Sequence, residues 1–209
     1  MSDIESTIPA DRRQWRPQGV RAGVVPDKIL NPIAEPLWVG TRVLAHYREG
    51  ERSDEWGVVE VLDEDGLDVQ GLAMRAFDQL RRSVRATEAV LDGVITQQAW
   101  NAGVDMDFGN ADRTREAVDP AFVALDLLSV DDEPLFDVPL LERKRLLDGV
   151  LDQSPLVRIS PWTITPIRPW FRTWRRAGFP GIVVKAANSR YVPGSTSLEW
   201  TDTDKEPKF

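Results

Sequence analysis

The 209-residue chain contains no cysteine, a single histidine and few lysines. The first absence excludes disulfides and thiolate metal sites. A lone His46 excludes a histidine cluster, so any metal would have to be held by carboxylates, and none is expected. Of the 26 basic residues only Lys28, Lys144, Lys185, Lys205 and Lys208 are lysines, which shortens any search for an amine nucleophile. No apolar run approaches the roughly 18 residues of a membrane span. The start, MSDIESTIPADRRQW, lacks the apolar core of a signal peptide, so a cytoplasmic protein without membrane contact is expected. The net charge of −8 argues against broad affinity for nucleic acid, because that affinity comes from Lys and Arg neutralising phosphates. A local basic face remains compatible with it.

What is present has the composition of one compact domain with a short arm: 42% hydrophobic residues, 14 Gly and 15 Pro. Residues 1–34 mix Pro, Arg and isolated apolar positions without a period and read as an extended arm. Residues 37–47 and 55–62 are β-rich around the polar turn REGERSD, and a third short strand is expected over 67–70, making an antiparallel meander. Ala73, Ala76, Phe77, Leu80 and Val84 recur at helical spacing, which predicts a helix over 72–84. A strand over 86–97, an exposed loop over 99–119 and a buried strand over 122–130 follow. Leu140, Leu147 and Leu151 mark a second helix. A short strand over 156–159, a third helix on Ile167, Trp170, Phe171 and Trp174, and the strand GIVVK at 181–185 complete the reading. Strands in runs with interspersed helices argue for an α+β fold with antiparallel sheets.

Four segments carry a further pattern. EPLWVGTR holds Glu35, Pro36, Gly40 and Arg42; VLDGVI holds Asp92 and Gly93; FVALDLLSV leads into LLERKRLL; and FPGIVVKAANSRYVPGSTSLEW holds Gly181, Lys185, Tyr191, Pro193, Gly194 and Trp200. In order and spacing these resemble the motifs of covalent nucleotidyltransferases, namely ATP-dependent DNA ligases and, more distantly, RNA ligases and capping enzymes. The resemblance covers residues 35–209 and implies a ligase-type, ATP-grasp-like nucleotidyltransferase fold, with two antiparallel sheets and flanking helices forming a cleft. With the chain ending at Phe209, no OB-type domain is expected.

The resemblance also marks departures. Where the family motif E-P-K-x-D-G-x-R has its lysine and aspartate, this chain has Leu37 and Val39. Val94 and Pro180 replace two glutamates, Leu125 replaces the aromatic that stacks on adenine, and Asp202 and Asp204 fall where a pair of lysines belongs. In the family the lysine amine attacks the α-phosphate of ATP, and leucine has no nucleophilic atom with which to do so. Val94 and Pro180 offer no side-chain oxygen to a cation, and two aspartates repel the phosphates that lysines would stabilise. Catalytic residues and cofactors are therefore not expected; ATP and magnesium enter only if a divergent but active enzyme survives.

Glu35, Trp38, Arg42, Leu125 and Lys185 are candidates for a residual nucleotide or phosphate pocket, with strand packing and an internal ion pair as the competing explanation. Arg168, Arg172, Arg175 and Arg176 are candidates for a basic face toward a nucleic-acid backbone or an acidic partner, or for an ordinary solvated helix face. Three functions stay open: a ligase-like pseudoenzyme that binds or scaffolds an unknown protein, with a link to DNA repair; a divergent active nucleotidyltransferase or DNA ligase; and a protein-interaction module without nucleotides.

Overall fold

A computed structural model describes residues 9, 11–25, 29–50, 56–98 and 119–208. The REGERSD turn lies partly, and the expected loop over 99–119 almost wholly, outside the described residues. Among the described residues, ten strands and three α-helices follow in chain order: β1 (Gly19–Ala22), β2 (Pro32–Pro36), β3 (Thr41–Arg48), β4 (Val58–Asp63), α1 (Met74–Ser83), β5 (Glu88–Thr96), β6 (Ala121–Val130), β7 (Glu133–Pro134), α2 (Leu140–Val150), β8 (Val157–Ile159), α3 (Ile167–Arg176), β9 (Ile182–Ala186) and β10 (Thr196–Thr203). They build a small sheet ordered β1-β10-β9-β2 and a larger one ordered β4-β3-β5-β6-β7, with β8 also pairing with β6. The fold is α+β, as the pattern of elements predicts.

Alternation along the strands assigns each face. On the small sheet, Ala34, Ile182 and Val184 point away from the larger sheet and are covered by Ile167, Phe171 and Trp174 of α3. On the larger sheet, Val43, Ala45 and Val61 point outward and meet Phe77 and Leu80 of α1. The two inner faces meet through Ile33 and Trp200 on one side and Leu44, Val90 and Leu128 on the other. This inner layer contains the site described below.

Four expectations need correction. Residues 37–47 are not one strand, because β2 ends at Pro36 in the small sheet and β3 starts at Thr41 in the larger one, so residues 37–40 cross between sheets. Residues 67–70 form no strand but a single bridge, Leu62 to Asp68, before a 3-10 turn at Gln70–Ala73. The sheets are not purely antiparallel: β1 runs parallel to β10 and β8 parallel to β6. The stretch read as an arm supplies β1 and the start of β2, so its described residues belong to the sheet. Its apolar positions are too sparse to show a period, because pairing with β10 is decided about 180 residues further along the chain.

The same segment closes one end of the inner layer. In the turn Arg12–Gln14, Arg12 pairs with Glu88 and with Asp132 (3.0 Å), and Arg13 pairs with Glu60 (3.2 Å). Beneath it, His46 is buried, and its Nε2 atom has no hydrogen-bond partner among the described residues. Burial pushes its imidazole down to about 4, with Glu60 opposing and Arg12 and Arg13 reinforcing the shift. The fold thus disfavours protonated His46, whereas the unfolded chain takes up the proton near pH 6.5. Stability from this group is complete above that pH and declines as pH falls toward 4, by on the order of 3 kcal/mol. His46→Leu is expected to flatten this decline in melting curves recorded between about pH 7.5 and 4.5. An equal acid loss in both proteins would assign it to other groups.

Candidate functional site

Residues 37–40 cross between the sheets because Pro36 ends β2 and the Leu37 amide donates to the Gly181 carbonyl (3.0 Å), while Gly40 packs on the next sheet. A Cβ at Gly40 would collide with the Ile95 carbonyl, and one at Gly181 with the Thr203 carbonyl. Both motif glycines are therefore required by close backbone approach. Around the crossing lies an open cleft of about 100 Å³.

All five residues proposed for a pocket, Glu35, Trp38, Arg42, Leu125 and Lys185, line this cleft, together with Leu37 and Val94. Leu37, where the family motif has its lysine, thus lines the cleft. Val94 and Leu125, two further departures, line it as well, and the remaining ones lie off it. Val39 is exposed, and Pro180 lies just before β9, where its carbonyl accepts from Arg175. Asp202 sits opposite Val183 on the sheet face that carries Lys185 and is half-buried; Asp204 follows β10 and is exposed.

The polar residues are held by one another. Glu35 Oε1 accepts from Lys144 Nζ (2.7 Å) and Lys185 Nζ (3.1 Å). Lys144 also donates to the Leu125 carbonyl (2.6 Å), and the Lys185 ammonium lies 4.5 Å from the Trp200 ring centre. Burial opposes the Glu35 charge, yet two ammonium groups together hold its pKa below the usual range. For Lys185 the direction is also down: burial disfavours its charge, Glu35 restores part of it, and Lys144 and Arg42 push further down. Two cations sharing one carboxylate account for both directions.

Arg42 grips Asp92 with two hydrogen bonds (2.5 and 2.6 Å). Burial works against its charge, and Asp92 more than restores it. Asp92 Oδ2 also accepts from the Tyr191 hydroxyl (2.7 Å), which in turn accepts from the Gln18 amide (2.7 Å). One strand over, Asp126 is bound by both ends of the Arg143 guanidinium (2.9 and 2.7 Å). The internal ion pairing weighed for Glu35, Arg42 and Lys185 is present in this layer.

Arg143 and Lys144 were not singled out in sequence, since charged residues on a helix are expected in solvent. The available signal was their position at the centre of the leucine-rich segment LLERKRLL. On α3 the basic face is partly engaged. Arg172 pairs with Glu206 (2.9 Å), Arg168 donates to the Pro207 carbonyl (2.9 Å), and Arg175 donates to the Phe179 carbonyl (3.1 Å). Arg176 is exposed. Among the described residues no three His, Asp or Glu side chains cluster so as to hold a metal, and Val94 and Pro180, which stand where the family has glutamates, have no side-chain oxygen.

Two sheets closing over a cleft that is crossed by the first motif define a nucleotidyltransferase fold. The ligase domain of LigD from M. tuberculosis has the same fold, with a TM-score of 0.66 and 22% identity, covering 91% of this chain and 59% of that one. The model of the ATP dependent DNA ligase domain matches residues 61–202, and the chain belongs to that family. It is 27% identical over 189 residues to a DNA ligase of Pyrobaculum islandicum, spanning 84% of this chain and 31% of the relative. It is 25% identical to DNA ligase C1 of Mycolicibacterium smegmatis, spanning 83% of this chain and 52% of the relative. The chain therefore spans about a third to a half of the length of these relatives. No helix among the described residues is long and apolar enough to cross a membrane.

The Asp92 network makes a direct prediction. Asp92→Ala leaves a half-buried guanidinium and a buried hydroxyl without their acceptor, and should cost about 1–3 kcal/mol in urea unfolding. A loss below about 1 kcal/mol would mean that water replaces the carboxylate.

Proposed function

We propose that this ligase-family domain does not form a covalent nucleotide adduct and acts as a binding or scaffolding protein, with DNA repair as its setting. The observation that carries the reading is the cleft itself: Leu37 faces it, and the two lysines nearest to it are both spent on Glu35. Both ammonium groups are held on that carboxylate and neither stands at the position of Leu37, so phosphoramide formation lacks a nucleophile there. Residues able to hold the metal and the leaving phosphates are also lacking at the family positions, where Val94, Pro180, Asp202 and Asp204 stand.

The competing reading, an active and divergent transferase, has one observation in its favour. Lys185 lines the cleft, and its pKa is lowered by burial and by neighbouring cations, which raises its share of free amine. Intact mass after incubation with ATP and magnesium or manganese separates the two. No added AMP is expected, either in the natural protein or in Leu37→Lys, because restoring one amine leaves the phosphate and metal side altered. An adduct that disappears in Lys185→Met would establish the active reading instead.

Contact with DNA is proposed to be weak, because Arg168 and Arg172 are engaged by residues 206–207 and the net charge is −8. Gel shifts with nicked duplex should show no retention at physiological salt. Retention that weakens steeply with added salt would restore the basic face as a phosphate-contacting surface.

A further inference from the structure

We propose that the outer face of α3 docks an acidic peptide segment containing a Glu-Pro step, and that residues 204–208 of this chain occupy that face in cis. The surface lies apart from the cleft, so the proposal holds whether or not nucleotide is transferred there. It starts from where positive charge stands. Between Gln153 and Leu198 the chain has no acidic residue, although its net charge is −8, so neither α3 nor its flanks can neutralise the four arginines of the helix. Arg175 and Arg176 lie in the last turn, where the helix dipole favours cations. Arg168 and Arg172 have no such benefit. They stand four residues apart on one face and repel each other, and Arg168 lies in the first turn, where the dipole is already positive. An anion held between these two side chains offsets both penalties.

Such an anion is present, and it belongs to a peptide segment. After β10 ends, the Lys205 amide donates to the Thr203 hydroxyl (3.1 Å), and the chain turns onto α3. Glu206 accepts from Nε and Nη2 of Arg172 (3.3 and 2.9 Å) and lies 3.6 Å from Arg168 Nε, which donates to the Pro207 carbonyl (2.9 Å). Pro207 is buried, although the residues on either side of it are exposed. A forked carboxylate contact, a main-chain carbonyl contact and a buried proline ring together recognise a peptide. A nucleic-acid backbone could replace the carboxylate but has nothing to put in the place of the proline.

The cis segment holds this face weakly enough to be exchanged. The Arg168 and Arg172 side chains remain 52% and 61% exposed, so water and salt screen their pairs with Glu206. Arg168 uses only Nε and Arg172 only Nε and Nη2, which leaves further donors without a protein partner among the described residues. Within the chain's own segment, Lys205 and Lys208 flank Glu206 and oppose its attraction to the helix. A segment with carboxylates in place of those lysines engages the spare donors and meets no such repulsion. Attachment in cis gives residues 204–208 a high effective concentration, so a partner competes through its extra charge.

Fluorescence anisotropy of the full chain with a labelled peptide Glu-Asp-Glu-Pro-Asp tests the proposal, beside counterparts with Gln for the Glu before proline or Ala for the proline, and a labelled nicked duplex. The acidic peptide should bind, more weakly as salt is added, and both counterparts should bind less well, the Gln form by about threefold. Glu206→Gln, which loosens the cis segment, should raise affinity by about threefold, and Arg172→Gln should lower it by about fivefold. Arg172→Lys keeps the charge without the fork, should fall between, and carries the comparison if Arg172→Gln is unstable. Absence of peptide binding, equal binding of either counterpart, no gain in Glu206→Gln, or no loss in a folded Arg172 variant would each overturn the assignment. Tighter binding of the nicked duplex than of the peptide at the same salt would overturn it in favour of a phosphate-contacting face.

Discussion

Asp92 and Asp126 are direct cross-strand neighbours on β5 and β6, both fully buried between the sheets. Like charges placed opposite one another destabilise a sheet, and in this dry layer the penalty is larger than at a surface. The arrangement persists because each carboxylate has its own guanidinium: Arg42 from β3 for one, Arg143 from α2 for the other. Those two arginines in turn set where their elements can lie. β3 must place Arg42 toward the small sheet, and α2 must approach β6 closely enough for Arg143 and Lys144 to reach inside. The Asp92 hydroxyl contact adds Tyr191, which stands against Trp200 (5.8 Å between ring centres), and thereby ties the small sheet to the large one.

The same constraint explains why the ligase signature is readable although several of its residues are replaced. The motif residues that match the family are those with internal duties. Gly40 and Gly181 allow backbones to touch, Arg42 and Asp92 neutralise one another, and Glu35 and Lys185 do the same across β2 and β9. The residues that depart from it, Leu37 and Val94 in the cleft and Val39, Asp202 and Asp204 toward solvent or the rim, can change without leaving a buried charge or a backbone clash. Packing thus holds one set of positions while the other is free to take a different chemistry.

Periodic and buried segments were legible. The helices over 72–84 and 167–177, the strand over 122–130 and the α+β class all follow from spacing, because each presents a repeated apolar face to one neighbour. The five cleft residues were legible through their motifs. Arg143 and Lys144 were not, since nothing local distinguishes a charged residue that turns inward from one that faces water. The segment around β1 was missed for a related reason: its strand character comes from β10, not from its own four residues.

The sequence by itself determined that Leu37 offers no amine, that Val94 and Pro180 offer no side-chain oxygen to a metal, and that the chain carries the ordered motifs of its family. These are properties of side-chain chemistry and hold in any conformation. Only the tertiary structure decided that residues 37–40 cross between sheets and that Lys144 joins Lys185 on a single carboxylate. Such outcomes depend on which distant groups share one low-dielectric space, and that is settled by packing rather than by any local run of residues.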